Sequence, residues 1–324
     1  MTIGLEKYKV GANIFDQMYF RNIIGHQQQL DRLSVDLEKG NLAHAYLLTG
    51  PADLGKFTIA RAFAKAIQTY GLEEDAIFSI GGQIDRGIHL DTMIVPRNPE
   101  EDSIKIATVK NLLNNLQMTG ISKQRILIME DIDKLTPEAA NAMLKMIEEP
   151  PTKVIYVFTT SHPNLILETI MSRVRRVDFT VLDNQLMLSG LSNRYRLTTE
   201  SQLNRVVALS MGRIAKAIRL LENKETLDAY ENVYQEIRLF LEKKDISQAF
   251  AFIGQIHGDD LLTQIFLEIA AVALREDLMT SSTKKVESEI KNSLLRIEKL
   301  FEVRRLSNTN VNNRLLLENF ILSL

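Results

Sequence analysis

Cysteine is absent from all 324 residues, which excludes disulfides and any thiolate zinc module. No apolar run approaches the roughly 20 residues needed to cross a bilayer, and Met1 to Val10 carries Glu6, Lys7 and Lys9 without a signal-peptide core. The expected location is therefore the cytoplasm, with no membrane partner. A surplus of positive charge is also missing. The net charge is -2, so the surface as a whole is not built to hold nucleic acid by electrostatics. The histidines, His26, His44, His89, His162 and His257, are scattered singly, whereas metal sites need clustered ligands, so no resident metal is expected. From Lys224 onward there is no proline, and the only glycines are Gly254 and Gly258. What remains is an ordinary globular composition, 45% hydrophobic and 25% charged, long enough for two or three domains.

From about Ile24 to Phe179 short strand-like runs alternate with helix-period segments, the pattern of a parallel sheet covered by helices. Ala45–Thr49, Thr92–Val95, Ile126–Met129, Val154–Phe158 and Val177–Phe179 read as strands. Leu30/Leu33/Leu37, Ile59/Phe63/Ile67 and Ile106/Val109/Leu113/Leu116 mark helix faces. A further helix runs from Pro137 to Glu149, with proline in its first turn and Pro150-Pro151 ending it. After Thr180 the strand signal fades into a short helical group with a break at Gly212, and from Lys224 only helical periodicity remains. Ser281 to Lys285 reads as an exposed loop and Glu100-Glu101-Asp102 as an exposed turn. The domain boundaries expected are 1–180 for the α/β part, 181–223 for a small helical domain and 224–324 for an all-helical one.

Gly50-Pro51-Ala52-Asp53-Leu54-Gly55-Lys56 fits the phosphate-loop pattern G-x-x-x-x-G-K, follows a strand and opens a helix. In a working loop, glycines let backbone N–H groups close on phosphate oxygens, the lysine supplies a point charge, and a following Ser or Thr ligates Mg²⁺. Here that following residue is Phe57, which can do nothing for a metal. Thr58 is one residue on, turned by roughly 100° around the helix. A phosphate-loop ATPase also needs an acid at the end of a second strand, commonly Asp then Glu. This chain has the reverse, Glu130 then Asp131. One carboxylate reaches about one methylene too far and the other falls short, which should blunt hydrolysis.

Several segments carry a family resemblance: Asn22-Ile23-Ile24-Gly25-His26, the phosphate loop, Ile104-Lys105-Ile106, Leu135 to Lys145, Glu148-Glu149-Pro150-Pro151 and Ser172-Arg173-Val174. Together they resemble the clamp-loader family of AAA+ proteins, and within it the delta-prime branch of bacterial DNA polymerase III. The likeness is dense over about residues 20 to 180 and rests on helical character beyond. It implies an AAA+ α/β domain, a helical lid and a helical collar. It further implies a hetero-oligomeric ring with motor and delta-like subunits, which places a sliding clamp on primed DNA. A delta-prime-like subunit is a stator with little ATPase activity that lends an arginine to a neighbour's ATP. The matching residue is Arg173, with Arg175 and Arg176 close by.

The resemblance also implies ATP as cofactor at Gly50, Gly55, Lys56 and Thr58, a sensor threonine at Thr159 or Thr160, and a zinc module that this chain lacks, since Leu72 to Gly87 has no cysteine. Mg²⁺ is disfavoured by Phe57. The lid arginine expected three residues after Gly212 is Ala215, flanked out of register by Arg213 and Lys216. Two rivals stand beside the stator: an active AAA+ motor subunit in which Thr58 and Glu130 rescue the metal site, and a stand-alone phosphate-loop phosphotransferase. Lys105, Lys110, Lys123 and Arg125 read as solvated surface charges rather than DNA contacts.

Overall fold

A computed structural model describes residues 16–98, 100–117, 124–150, 153–284, 287–307 and 312–324. Met1 to Val10, Lys123, Pro151 and Lys285 lie outside these ranges. The chain divides into two compact units, Met1–Tyr195 with Gly212–Ala215, and Arg196–Met211 with Lys216–Leu324.

The first unit is built on five parallel strands, β1 (Ala45–Thr49), β2 (Thr92–Val95), β3 (Arg125–Met129), β4 (Val154–Thr160) and β5 (Arg175–Asp178), in the order β2-β3-β4-β1-β5. The centre of the sheet is fixed in register by Ala45 opposite Tyr156 through Thr49 opposite Thr160, and its outer strand by Thr49 opposite Asp178. Every residue of β1 and β4 is buried, as expected of strands covered on both faces. Alternation sorts the side chains onto two faces. Tyr46, Leu48, Ile126, Ile128, Ile155 and Val157 meet Leu30 and Leu33 of α1 (Gln27–Glu38) and Ile59 and Phe63 of α2 (Lys56–Thr69). Ala45, Leu47, Leu127, Tyr156 and Phe158 meet Val109 and Leu112 of α4 (Ile106–Gln117) and Met143 and Met146 of α5 (Pro137–Glu148). The α5 start follows from its sequence: Pro137 takes a position where its missing N–H is no loss, and the Thr136 hydroxyl accepts from Ala139 N at 3.3 Å.

Between α2 and β2 the chain forms α3 (Glu74–Asp85), where the sequence showed only a missing zinc module. Arg61 and Lys65 of α2 hold it through Asp85, at 3.2 and 2.6 Å. The unit continues with a single turn α6 (Glu168–Met171) before β5 and then α7 (Asn184–Arg194), whose Asp183 cap accepts from Gln185 N.

The second unit comprises α8 (Glu200–Ser210), most of α9 (Ile214–Glu222), α10 (Lys224–Lys243), α11 (Ile246–Ile256), α12 (Asp260–Lys284), α13 (Glu287–Ser307) and α14 (Asn313–Leu322). Ile237, Phe240, Ile253, Phe266, Ile269 and Phe320 are buried in its interior. Tyr234 and Arg238 of α10 reach Glu276 and Asp277 of α12 at 2.6 and 2.7 Å. The loop expected from Ser281 is instead the end of α12. Ser281 is buried, and the hydroxyls of Thr280 and Thr283 donate to carbonyls four residues back at 2.8 Å, so these polar side chains are satisfied within the helix. Among the described residues no helix is long and apolar enough to cross a membrane.

Candidate nucleotide site and arginine

The parallel order brings the carboxyl ends of β1, β3 and β4 to one edge, where ligands of open α/β sheets sit. The phosphate loop leaves β1 at Gly50, whose φ of 140° suits glycine. A Cβ there would lie 2.3 Å from the Phe179 carbonyl oxygen, so no other residue fits. Asp53 (φ 62°) and Gly55 (φ 82°) take left-handed conformations and turn the chain into α2.

Lys56, the first residue of α2, is 6% exposed. Its ammonium donates to the carbonyls of Gly50 (2.8 Å) and Pro51 (2.6 Å) and to the Ser161 hydroxyl (3.2 Å). These contacts match its three N–H donors. Burial pushes the ammonium below its usual range, opposed by the field of Asp131, Asp53, Asp133 and Glu130. Phe57 packs against the apolar cluster of α1 and α2, and Thr58 is exposed. The donor set therefore does not fit Mg²⁺ at the loop: the adjacent side chain is hydrocarbon, and the nearest hydroxyl on α2 faces solvent.

Glu130 and Asp131 sit together at the end of β3, as expected from their position. The Glu130 carboxylate accepts from Arg97 N at 2.9 Å, and Asp131 lies 3.8 Å from the Arg97 guanidinium. Burial raises both carboxyls above their usual range, and each acid reinforces the shift, Glu130 through Asp131 and Asp131 through Asp133. The two threonines differ in partner. Thr159 Oγ1 accepts from Asp131 N at 3.2 Å, whereas Thr160 donates to Asp133 at 2.6 Å and accepts from His162 N at 2.9 Å. Asp133 also meets His162 Nδ1 at 3.1 Å. Sequence reasoning missed Asp133, Ser161 and Arg97, because each enters the site through a contact between elements and not through a motif.

Ala215 contributes no side-chain charge, yet its backbone N–H donates to the Asp53 carbonyl of the loop at 2.9 Å. Lys216 cannot substitute for the missing lid arginine: it is 1% exposed within the second unit, paired with Glu268 and stacked over Tyr230 at 4.5 Å.

Arg173 follows the α6 turn and is exposed. Its guanidinium donates to the Thr169 carbonyl (2.9 Å) and the Ser172 hydroxyl (3.1 Å) and forms an ion pair with Glu148 (2.9 Å). Its two neighbours are drawn elsewhere: Arg175 pairs with Asp36 at 2.6 Å beside the Tyr46 ring, and Arg176 pairs with Asp178. Of the basic residues weighed as DNA contacts, Lys105 and Lys110 are exposed. Arg125 is held by Asp91 at 3.3 Å and by the carbonyls of Asn115 and Leu116 at the end of α4.

Residues 25–183 match the family described as DNA polymerase III, delta subunit. Two curated relatives are the DNA polymerase III subunit gamma of Buchnera aphidicola (28% identical, 67% of this chain and 61% of that protein) and the subunit delta' of Bacillus subtilis (26% identical, 89% and 92%). The chain thus spans less than two thirds of the gamma relative. Among solved structures, a DNA polymerase III gamma subunit-related protein of Thermotoga maritima shares the fold, with a TM-score of 0.52, 19% identity, and 90% of this chain and 97% of that chain covered. With the parallel sheet, the phosphate loop on β1 and the acids on β3, these likenesses make the chain similar, over most of its length, to clamp-loader subunits of DNA polymerase III.

Proposed function

We propose that this chain is the delta-prime-like stator of its clamp loader, a subunit with a degenerate ATP site that acts on a neighbouring subunit through Arg173. The observation that carries the reading is the state of the loop. Lys56 has its donors filled by Gly50, Pro51 and Ser161, and the residue after it is a half-buried phenylalanine, so the chain brings no oxygen ligand beside the lysine. Arg173 stands in the opposite condition, exposed and held by carbonyl, hydroxyl and carboxylate partners. A guanidinium presented to a phosphoryl group in trans stabilises the charge that develops during transfer. In this reading the AAA+ part is 1–180, the lid 181–223 and the collar 224–324. The partners are motor and delta-like subunits in the cytoplasm, with the sliding clamp and primed DNA engaged through the complex.

The test is titration of the purified chain with a fluorescent ATP analogue, with and without Mg²⁺, alongside steady-state hydrolysis. The stator reading expects binding that is absent or indifferent to Mg²⁺ and no turnover. The gamma relative supports a second reading, an active motor subunit. Mg²⁺-dependent binding with turnover lost in Lys56→Ala would establish that reading in place of the stator.

A further inference from the structure

We propose that Glu148 is the positioning residue for Arg173, the acid that holds the guanidinium in its outward geometry; the inference rests on the trans role of Arg173. Glu148 is the last residue of α5, where the helix dipole presents its negative end. An acid there is unfavourable unless a cation answers it, and Glu149 adds a second negative charge in the next position. Arg173 supplies the cation from a different element, across 2.9 Å. Glu148 and Arg173 stand 25 positions apart in sequence, in the motifs Glu148-Glu149-Pro150-Pro151 and Ser172-Arg173-Val174, and the fold brings these two side chains together.

An ordinary surface ion pair contributes little to stability; the geometry gives Glu148 a different effect. Both side chains are about 40% exposed, at 40% and 39%, so the pair is a weak stabiliser of the fold. Its effect is directional. Thr169 O and Ser172 Oγ accept from Nη1, and the Glu148 carboxylate lies 2.9 Å from Nη2 as its ion-pair partner. Both terminal nitrogens are thus engaged, while the side chain stays 40% exposed and open to an anion. An arginine on an exposed turn otherwise samples many rotamers, and ordering it carries an entropic cost. Glu148 restricts that freedom before the partner arrives, which is how a preorganised group acts on a transition state.

The experiment measures ATP turnover by the ring reconstituted from full-length subunits, with this chain as wild type, Arg173→Ala, Glu148→Ala, Glu148→Gln and the double variant Glu148→Ala/Arg173→Ala. Arg173→Ala lowers turnover by about 10³-fold if the trans reading holds. Glu148→Ala lowers kcat about tenfold with KM for ATP unchanged. Glu148→Gln, which keeps an acceptor without the charge, falls between Ala and wild type. In the Arg173→Ala background Glu148→Ala does nothing further. An unchanged Arg173→Ala ring overturns the trans reading itself. A large Arg173→Ala effect with a neutral Glu148→Ala, or a Glu148→Ala effect that persists without Arg173, overturns the positioning role alone.

Discussion

The backbone N–H of Ala215 donates to the carbonyl of Asp53 at 2.9 Å, so the segment that begins α9 is fastened to the phosphate loop. Three residues earlier the same segment is fixed at Gly212. Leu182 N donates to the Gly212 carbonyl at 2.8 Å, and a Cβ on Gly212, at φ +79°, would lie 2.6 Å from the Leu182 carbonyl oxygen. Ala215→Pro removes the donor at a place in the first helical turn where proline is tolerated. The expected cost is about 1 kcal/mol, seen as roughly fivefold faster hydrogen exchange at the amides of residues 52–55. Ala215→Gly keeps the N–H and should leave those amides protected. Equal exchange in both variants would mean that the bond does not hold the loop.

The acids at the end of β3 give a pH signature. Burial raises the Glu130 carboxyl, the Arg97 amide lowers it in part, and Asp131 raises it again. A carboxyl that is raised in the folded state binds its proton more readily folded than unfolded, so its ionised form costs stability at neutral pH. That cost fades as pH falls through the raised value towards the unfolded value of about 4.3. Glu130→Gln keeps an acceptor for Arg97 and loses the charge. It should be more stable than wild type to urea at pH 7 to 8, with the difference closing near pH 4. A difference that does not vary with pH would show that ionisation of Glu130 is not the source.

Much of the first unit is legible in the sequence because its information is local. The run Ile126 to Met129 needs no partner to read as a buried strand, and β3 extends it by a single residue, Arg125. β4 runs on through Thr159 and Thr160, because those hydroxyls are satisfied by Asp131 N and Asp133 and can be buried. The fifth strand begins at Arg175, two residues before the apolar signal, since the Arg175 guanidinium has Asp36 and the Asn41 carbonyl to receive it. α3 was not legible: Gly81 and Gly82 weaken its periodicity, and the ion pairs to Asp85 that hold it come from α2. In the site, motif spacing located Lys56, Glu130 and Asp131. That Lys56 points at its own loop, and that a backbone amide stands where the lid arginine was sought, are tertiary facts without a local signal.

The pair of buried Lys216 and half-buried Glu268 in the second unit should respond asymmetrically to mutation. Lys216, 1% exposed, pairs with Glu268, which also accepts from the Tyr230 hydroxyl at 3.0 Å. Removing Glu268 takes a carboxylate away from an ammonium held in a low-dielectric interior, whereas replacing both removes the charge as well. Glu268→Ala should therefore cost about 3–5 kcal/mol in urea unfolding, and Lys216→Met/Glu268→Leu markedly less. Equal losses for the single and double variants would show that packing around α12, and not the charge of Lys216, sets the cost.

Phe57 separates the two ways in which the ATP site departs from a motor. If its side chain is the main obstacle to the metal, Phe57→Ser should restore Mg²⁺ dependence, because a hydroxyl then follows Lys56 in the first turn of α2. The substitution removes a half-buried ring from the cluster of α1 and α2, so a loss of about 1–3 kcal/mol is expected, less than for a fully buried phenylalanine. Glu130 and Asp131 remain in reversed order, and Ala215 still supplies no charge. The variant should therefore bind a fluorescent ATP analogue about tenfold more tightly with Mg²⁺ than without, and still show no turnover. Tightening without hydrolysis would assign metal binding to position 57 and the missing chemistry to the acid pair and lid. Turnover in Phe57→Ser would show that the reversed acids are competent and that one aromatic residue silences the site.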